Sequence, residues 1–389
     1  MISLQLGLAL LALGIWTTLL LFRGSFWRER PRAAPAYAPQ AWPEIVAVIP
    51  ARNEADVVGD SMAALLAQDY PGRFTVVLVD DDSGDGTAAV ASRAAEGLAH
   101  HLTVVRNDPL PSGWTGKLWA VNRGLAEAAR IAPNAKYVLL TDADIRYASS
   151  SLRGLVARAE TGQLKLVSLM VRLKTATLAE RALIPAYIFF FQKLYPFAWI
   201  RDPKRRMAGA AGGCMLVDRT VLKDAGGIAA IRRELIDDCA LGKAIKPRGP
   251  IWLGLADDVV SLRGYPRWRD VWMLIARSAF TQLGFSTAML IMATLGMLAT
   301  YLLPPLLAIF GAGWPRLIGA AVWLAMLFAY QPILRTYRLS PLWALALPLV
   351  ALFYTAATID SAIRYWSGRG GSWKGRLQAQ GPQTSAGGR

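Results

Sequence analysis

The sequence has very few of the residues on which many metal centres and nucleophilic active sites depend. Its 389 residues include two histidines, His100 and His101, and two cysteines, Cys214 and Cys239. The histidines are adjacent in a predicted loop, and the cysteines lack the spacing of metal ligands. A histidine-based metal site, a catalytic triad with histidine and a disulfide framework are therefore not expected.

Two glycine-rich signatures are also missing. The chain has no G-x-G-x-x-G loop and no Walker lysine loop, which argues against dinucleotide binding and ATP hydrolysis. Charged residues make up only 18% of the chain, although the formal net charge is +16. Because the lysines and arginines are dispersed and many flank apolar runs, we expect them to face anionic lipid headgroups and expect no nucleic acid partner.

Long apolar runs are what the sequence has instead, with 54% hydrophobic residues overall. Residues 3–22 are almost uncharged and long enough to cross a bilayer as a helix. No lysine or arginine precedes this run, whereas Arg23 and Arg28 follow it. This pattern predicts an uncleaved anchor over residues 1–24, with the following domain in the cytoplasm.

Residues 280–363 form a second apolar region. Its runs at 285–310, 317–334 and 342–363 predict about three further membrane segments. The basic, glycine-rich residues 364–389 predict a disordered tail.

Two topologies of this region remain open. Four full spans would place residues 335–338 inside but the basic tail outside, against the positive-inside tendency. Alternatively, residues 285–310 form a re-entrant hairpin broken at Pro304-Pro305, which would bring the tail inside.

Residues 33–276 read as a globular α/β domain. In its first half short apolar runs alternate with helical patterns, which predicts a parallel sheet with helices on both faces. The predicted strands are 45–49, 75–80, 102–106 and 137–141, and the predicted helices are 56–67, 87–96 (with Thr87 as cap) and 117–129. Ligands of such folds bind beyond the carboxyl ends of the strands.

Acidic residues follow the first two strands. Residues 50–54 read PARNE, from Pro50 to Glu54, and the second strand ends in Asp80-Asp81-Asp82. Clustered carboxylates are costly unless they meet donors or a cation. Asp80 and Asp81 suit the base and ribose donors of a nucleotide, whereas Asp82 and Asp85 also fit turn formation and helix capping.

Asp142 and Asp144 follow the fourth strand as a D-x-D motif. Two carboxylates spaced by one residue at a strand end can reach the same hard cation, Mg²⁺ or Mn²⁺, which also bridges phosphate oxygens. The motif alone is common, but its position after a buried strand favours a metal site.

Two predicted helix starts complete the pattern. Lys117 opens one helix, where an ammonium and free N–H groups attract phosphate, although a solvated lysine is the alternative. Asp237 and Asp238 open another, where acids also favour the helix N-terminus electrostatically. They are the best remaining carboxylates for a general base.

Taken in order, these segments resemble the motif series of family 2 glycosyltransferases, the inverting group with the GT-A fold. The matching segments are PARNE, VDDDS, GKLWAVN, DAD and IDDCALG. The layout of the chain is similar to ceramide glucosyltransferases and closer to the hopene-associated membrane glycosyltransferases, which share PSGWTGKLWA. The resemblance implies a Rossmann-like mixed sheet with one N-terminal and about three C-terminal transmembrane helices.

The resemblance also implies roles for individual residues. Glu54 and Asp81 would contact the base or ribose, with Pro50 and Asp80 nearby, and Lys117 would hold the nucleotide. Asp142 would touch ribose or donor sugar, Asp144 would bind the metal, and Asp238 would be the base. Asp237 stands where the family commonly has Glu.

One departure from the family pattern concerns the segment after the base. Related enzymes carry Gln or Arg, two residues, then Arg-Trp. Arg267-Trp268 is present here, but Gly264 stands three residues before it. Arg277 or Gln282 is the expected substitute for the diphosphate or acceptor contacts.

The sequence therefore predicts a metal-dependent, inverting glycosyltransferase of the bacterial inner membrane. Its partners would be a nucleotide-sugar donor, expected to be a UDP-sugar, and a lipid acceptor, with a hopanoid implied by the resemblance. The aromatic-rich residues 186–200 form either a core helix or an interfacial helix that guides the lipid. Transfer to a polyprenyl phosphate and a non-catalytic nucleotide-sugar-binding protein are the alternatives.

Overall fold

The computed structural model describes residues 2–37, 39–370, 372–373 and 376–377. The chain divides into two compact units, here called the helical unit and the sheet unit. The helical unit comprises Met1–Arg30, Thr175–Ala198 and Tyr265–Arg389, and the sheet unit comprises Pro31–Lys174 and Trp199–Gly264.

The sheet unit is built on an eight-stranded mixed sheet. Its strands are β1 Ile45–Ala51, β2 Phe74–Asp80, β3 His101–Arg106, β4 Tyr137–Thr141, β5 Ile145–Tyr147, β6 Leu166–Arg172, β7 Cys214–Asp218 and β8 Ile251–Ser261. They lie in the order β3-β2-β1-β4-β7-β6-β8-β5. The first four are parallel, β7 runs antiparallel to β4 and β6, and β5 runs antiparallel to β8.

Helices flank the strands of the sheet unit and make up most of the helical unit. They are α1 Ile2–Thr17, α2 Val58–Leu66, α3 Thr87–Ala94, α4 Gly116–Ile131, α5 Ser151–Thr161, α6 Leu178–Leu194, α7 Phe197–Arg201, α8 Arg219–Asp224, α9 Asp237–Ile245, α10 Trp268–Ala276, α11 Ala279–Gln282, α12 Thr287–Met297, α13 Leu303–Phe310, α14 Trp314–Thr336 and α15 Leu347–Trp366. Two short paired strands, β9 Ser372–Trp373 and β10 Arg376–Leu377, follow α15.

The four predicted strands are confirmed, each ending within two residues of its predicted bounds. All seven residues of β1 and all five of β4 are buried, as is typical of parallel strands covered on both faces. The strands of the first half of the domain, β1 to β4, pair in parallel as predicted. The antiparallel β7 and β5 make the complete sheet mixed, which confirms the mixed sheet implied by the family resemblance.

One predicted helix cap is wrong. Thr87 is the first residue of α3, and Gly86 precedes it as the N-cap with φ of 84°. The Thr87 hydroxyl instead accepts a hydrogen bond from the Glu54 N–H at 2.9 Å. This contact ties the turn after β1 to the turn after β2.

Among its described residues, the helical unit contains four helices long and apolar enough to cross a membrane. They are Leu4–Phe22, Thr287–Phe310, Trp314–Thr336 and Pro341–Trp366. The second continues through a π-helical turn, Leu298–Leu302, directly before Pro304 and Pro305. Because these prolines stand at the start of the next helical turn, where no N–H is needed, the helix is unbroken and a re-entrant hairpin over this segment is wrong.

The aromatic-rich segment lies mostly in α6. Its residues Ala186, Ile188 and Phe189 are buried, and the Phe189 ring packs against Phe26 and Tyr330 within the helical unit. These contacts favour the core-helix alternative for this segment.

The basic tail predicted from residue 364 begins inside α15, since that helix ends at Trp366. Most of the predicted tail lies outside the described residues.

Candidate active site

The sheet unit has a pocket at the carboxyl ends of β1 and β4. Pro50, Lys117, Asp142, Gly212 and Asp237 are among the residues that line it. Pro50 is in β1, Lys117 is the second residue of α4, and Asp237 is the first residue of α9. Residues that are far apart in the sequence thus meet where the parallel strands end.

Lys117 is the cation at the centre of this pocket. Its Nζ lies 2.9 Å from Asp142 Oδ1 and 3.2 Å from Asp237 Oδ2, and its side chain is 21% exposed. Burial alone would lower the pKa of Lys117, but the carboxylates of Asp142 and Asp237 outweigh this effect and raise its pKa. The lysine is therefore protonated, and the solvated lysine considered as an alternative is wrong.

Helix α4 begins at this point because Thr115 caps it. The Thr115 hydroxyl accepts a hydrogen bond from the Leu118 N–H at 3.4 Å. The cap orients the first turn, so that Lys117 and the remaining free N–H groups lie at the pocket. A helix N-terminus with a lysine in its first turn is a favourable place for phosphate oxygens.

Asp238 is fixed beside the ion pairs by two backbone donors. The Gly212 N–H donates to its Oδ2 at 3.0 Å, and the Cys239 N–H donates to its Oδ1 at 2.7 Å. Burial and the neighbouring Asp237 carboxylate raise the pKa of Asp238 to about 6, although Lys117 and both N–H groups oppose the shift. A carboxylate with this pKa is a competent proton acceptor near neutral pH.

Gly212 lies against both Lys117 and Asp238. A Cβ at this position would lie 3.4 Å from Lys117 Nζ and 3.6 Å from Asp238 Oδ2. The adjacent Gly213 carbonyl accepts a hydrogen bond from the Thr141 hydroxyl at 2.7 Å. The loop that contains Gly212 and Gly213, here called the glycine loop, is thereby fixed to the end of β4, directly before the D-x-D motif.

The two carboxylates of the D-x-D motif have different partners. Asp142 pairs with Lys117, whereas Asp144 Oδ2 accepts a hydrogen bond from the Ser261 hydroxyl at 2.6 Å and lies 3.6 Å from Arg263 Nε. Arg263 also donates to Glu54, so one guanidinium bridges two of the predicted site carboxylates. Ser261 ends β8 and Arg263 follows it closely.

The acidic cluster after β2 separates into two kinds of residue. Buried Asp81 accepts a hydrogen bond from Asn107 Nδ2 at 2.8 Å, while Asp80 Oδ1 has no hydrogen-bond partner within the described part of the chain. Asp85 instead accepts from the Thr87 N–H, and Asp82 is exposed and pairs with Arg106. The turn-forming role of Asp85 is confirmed.

Four predicted diphosphate or acceptor residues belong to the helical unit. Arg267 is paired with Asp270, and the ring of Trp268 is 6.2 Å from that of Phe353. Gln282 accepts a hydrogen bond from the Tyr195 hydroxyl, and Arg277 is exposed at the end of α10.

Sequence reasoning missed Arg263, Ser261 and Gly212. The signal available was positional, since Ser261 and Arg263 mark the end of a strand in a sheet whose ligands lie at strand ends. Strand β8, which pairs parallel with β6 and antiparallel with β5, was not predicted. The end of this strand could not be assigned to the site for that reason.

Whether the site suits a divalent cation depends on its oxygen donors. Among the residues that the structure describes, no three His, Cys, Asp or Glu side chains form a ready-made metal cluster. Mg²⁺ and similar cations are commonly held by one or two carboxylates together with substrate phosphates. Asp142 and Asp144 supply such hard donors at the end of β4, so the residues present fit a metal of this kind.

Comparison with known proteins agrees with this geometry. Residues 43–257 match the family described as "Glycosyltransferase like family 2". The mannosyltransferase PcManGT of Pyrobaculum calidifontis, solved with GDP-Man and Mn²⁺, is 23% identical with a TM-score of 0.53 and covers 92% of this chain and 98% of its own. That similarity shows the fold.

Two weaker similarities accompany it. Beta-monoglucosyldiacylglycerol synthase of Synechocystis is 37% identical over 87 residues, which are 22% of this chain and 18% of that protein. The present chain thus spans less than a fifth of that relative. Staphylococcus aureus TarS, solved with UDP-GlcNAc, is 15% identical, and the match covers 84% of this chain and 92% of that one, with a TM-score of 0.40. A similarity at this level supports no conclusion about the present chain.

The fold and the family match define a glycosyltransferase with a GT-A fold. The family match covers more than half of the chain, and the chain belongs to glycosyltransferase family 2.

Replacing Lys117 tests the electrostatics of the pocket. In Lys117→Met the carboxylates of Asp142 and Asp237 lose their shared cation, and we expect the free energy of unfolding at pH 7.5 to fall by about 2–4 kcal/mol. Burial already raises the pKa of Asp142 and Lys117 opposes this shift, so without Lys117 that pKa should lie further above its value in the unfolded chain and the deficit should shrink as the pH falls towards 5. Thermal unfolding of the full-length enzyme across this pH range measures both effects.

Lys136→Met is the matched control, because Lys136 pairs with Glu160 at 2.6 Å but is 49% exposed. It should cost at most about 1 kcal/mol. A Lys117 variant as stable as this control at pH 7.5 would contradict the proposed electrostatics.

Proposed function

We propose that this enzyme transfers a sugar, with inversion, from a nucleotide-diphosphate donor to a hydroxyl of a lipid at the cytoplasmic face of a bacterial plasma membrane. The observation that carries the proposal is the position of Asp238. This carboxylate has a raised pKa and lies beside a partly buried lysine at a helix N-terminus, which combines a proton acceptor with a phosphate-binding cation.

The donor would be bound along the carboxyl ends of β1, β2 and β4. Glu54, Asp80 and Asp81 follow or end the first two strands and would contact base and ribose, with Pro50 in the pocket wall. The unpartnered Oδ1 of Asp80 supports this assignment, because a buried acceptor without a donor is costly unless a ligand satisfies it. A UDP-sugar is the proposed donor.

Asp238 would remove the proton from the acceptor hydroxyl as its oxygen attacks the anomeric carbon from the side opposite the diphosphate. The Gly212 and Cys239 N–H groups hold this carboxylate in one orientation. Asp237 raises the proton affinity of Asp238 and pairs with Lys117. Lys117 would stabilise negative charge that develops on the departing diphosphate.

Asp144, with Asp142, would hold Mg²⁺ or Mn²⁺. When bound, such an ion supplies positive charge to the diphosphate leaving group. The proposal is supported by the hard oxygen donors at the end of β4 and by the carboxylate spacing.

A lipid is the proposed acceptor. Two observations support this choice. Four helices among the described residues are long and apolar enough to cross a membrane, and the local similarity to Beta-monoglucosyldiacylglycerol synthase is with an enzyme named for a lipid product. The motif resemblance to hopene-associated glycosyltransferases favours a polycyclic hopanoid alcohol. Arg267, Trp268, Arg277 and Gln282 of the helical unit remain proposed acceptor or diphosphate contacts.

An acceptor assay distinguishes the lipid classes. Purified enzyme with Mn²⁺ and a panel of UDP-sugars is incubated with a hydroxylated hopanoid, with diacylglycerol or with a polyprenyl phosphate, and products are identified by mass spectrometry. We expect a glycosylated lipid alcohol with inverted anomeric configuration. Transfer only to the polyprenyl phosphate would contradict the proposed acceptor but leave the donor chemistry intact.

Asp238→Asn tests the general base. The amide retains the shape of the carboxylate but cannot accept the proton, so we expect turnover to fall at least about 10²-fold while donor affinity changes less than about threefold. Donor binding is measured by calorimetry and turnover by product mass. Asp82→Asn, which changes an exposed carboxylate of the acidic cluster, serves as control and should retain activity; near-normal turnover of the Asp238 variant would rule out its role.

The pH dependence of kcat/KM reports the same group. Because the base acts deprotonated and the pKa of Asp238 is raised to about 6, kcat/KM should be constant above that pH and fall about tenfold per pH unit below it. Asp237→Asn removes a carboxylate that raises this pKa, so its acidic limb should move to lower pH. A limb that stays in place would show that another group is titrating.

A further inference from the structure

Arg263 is a cation that the proposed mechanism does not use. Its Nη2 donates to Glu54 Oε2, and its Nε lies 3.6 Å from Asp144 Oδ2. Glu54 and Asp144 have side chains only 9% and 11% exposed, whereas Arg263 is 32% exposed. A guanidinium thus stands beside the carboxylate proposed to bind the metal.

The backbone of Arg263 is fixed relative to this carboxylate. The Ser261 hydroxyl donates to Asp144 Oδ2 and accepts a hydrogen bond from the Arg263 N–H at 3.2 Å. The Leu262 N–H donates to the Asp144 carbonyl at 2.7 Å. From this fixed backbone the partly exposed side chain of Arg263 extends to Glu54 and Asp144.

A guanidinium and a divalent cation at the same carboxylate repel each other. At separations of a few ångströms this repulsion is appreciable even with the dielectric screening of water. The diphosphate of a donor would remove the conflict, since it carries enough negative charge for both cations. Arginine also suits this exchange, because its planar donors bind carboxylate and phosphate oxygens equally well.

We propose that Arg263 is a resident counter-cation that weakens metal binding at Asp144 in the absence of donor and bonds the donor diphosphate once it is present. Metal and donor then bind cooperatively, and metal alone binds weakly. In related enzymes a Gln or Arg three residues before Arg-Trp is expected to contact the diphosphate, and Gly264 stands at that position here. Arg263 would supply a contact of this kind. The inference rests on the proposed assignment of Asp144 as a metal ligand.

Mn²⁺ binding to the full-length enzyme without nucleotide tests the first half of the inference. Free Mn²⁺ is measured by electron paramagnetic resonance during titration. In Arg263→Gln and Arg263→Met the competing charge is gone, and we expect the Mn²⁺ affinity to rise about tenfold or more. Arg263→Lys retains the charge and should stay within about threefold of the unsubstituted enzyme.

Arg172→Gln is the matched control. Arg172 is 29% exposed and pairs at 3.8 Å with Asp257, which is not a site residue. This variant removes the same charge from the same unit, and its Mn²⁺ affinity should not change.

UDP binding with saturating Mn²⁺ tests the second half. Both neutral variants at position 263 should bind UDP about tenfold more weakly, because charge-assisted hydrogen bonds to the diphosphate are lost. Unchanged Mn²⁺ and UDP affinities in both neutral variants would overturn the inference.

Asp144→Asn separates this failure from failure of the metal assignment. If Asp144→Asn loses Mn²⁺ binding while the Arg263 variants behave as the unsubstituted enzyme, only the role of Arg263 is wrong. If Asp144→Asn binds Mn²⁺ normally, the metal assignment fails and the inference fails with it.

Discussion

The site depends on one interaction, the ammonium of Lys117 among acidic side chains. Three carboxylates, those of Asp142, Asp237 and Asp238, lie where β4 and α9 meet, and their mutual repulsion would open the pocket without a cation. Lys117 balances part of that charge but not all of it. Burial and the neighbouring Asp237 carboxylate keep the pKa of Asp238 raised, and the remaining negative charge favours binding of a further cation.

The mixed sheet is what brings these groups together. The parallel strands β1, β2 and β4 direct their carboxyl ends to one edge, and the antiparallel β7 begins at that edge with the glycine loop directly before it. Gly212 and Asp238 thus reach Lys117 from segments about a hundred residues away. The second cationic group, Arg263, arrives in the same way from the end of β8.

The sequence allowed half of this arrangement to be predicted. Strands β1 to β4 are continuous apolar runs followed by acidic motifs, so periodicity and position sufficed for them. Long segments of other structure separate β7 and β8 from the strands beside which they lie. Which strands they pair with depends on the tertiary fold, and no local sequence pattern encodes that pairing. Arg263 and Gly212 were missed for that reason, and the division of the D-x-D carboxylates between Lys117 and Arg263 required side-chain directions.

The double attachment of β8 to Asp144 has a consequence for how such enzymes diversify. The Ser261 hydroxyl and the Leu262 N–H both donate hydrogen bonds to Asp144. These two bonds fix the position of the strand end relative to Asp144 to within one residue. A one-residue insertion or deletion before Ser261 would exchange the polar and apolar positions facing the D-x-D motif. Variation in this region is therefore expected to proceed by substitution at fixed length, whereas length changes should collect in the turns that follow Gly264.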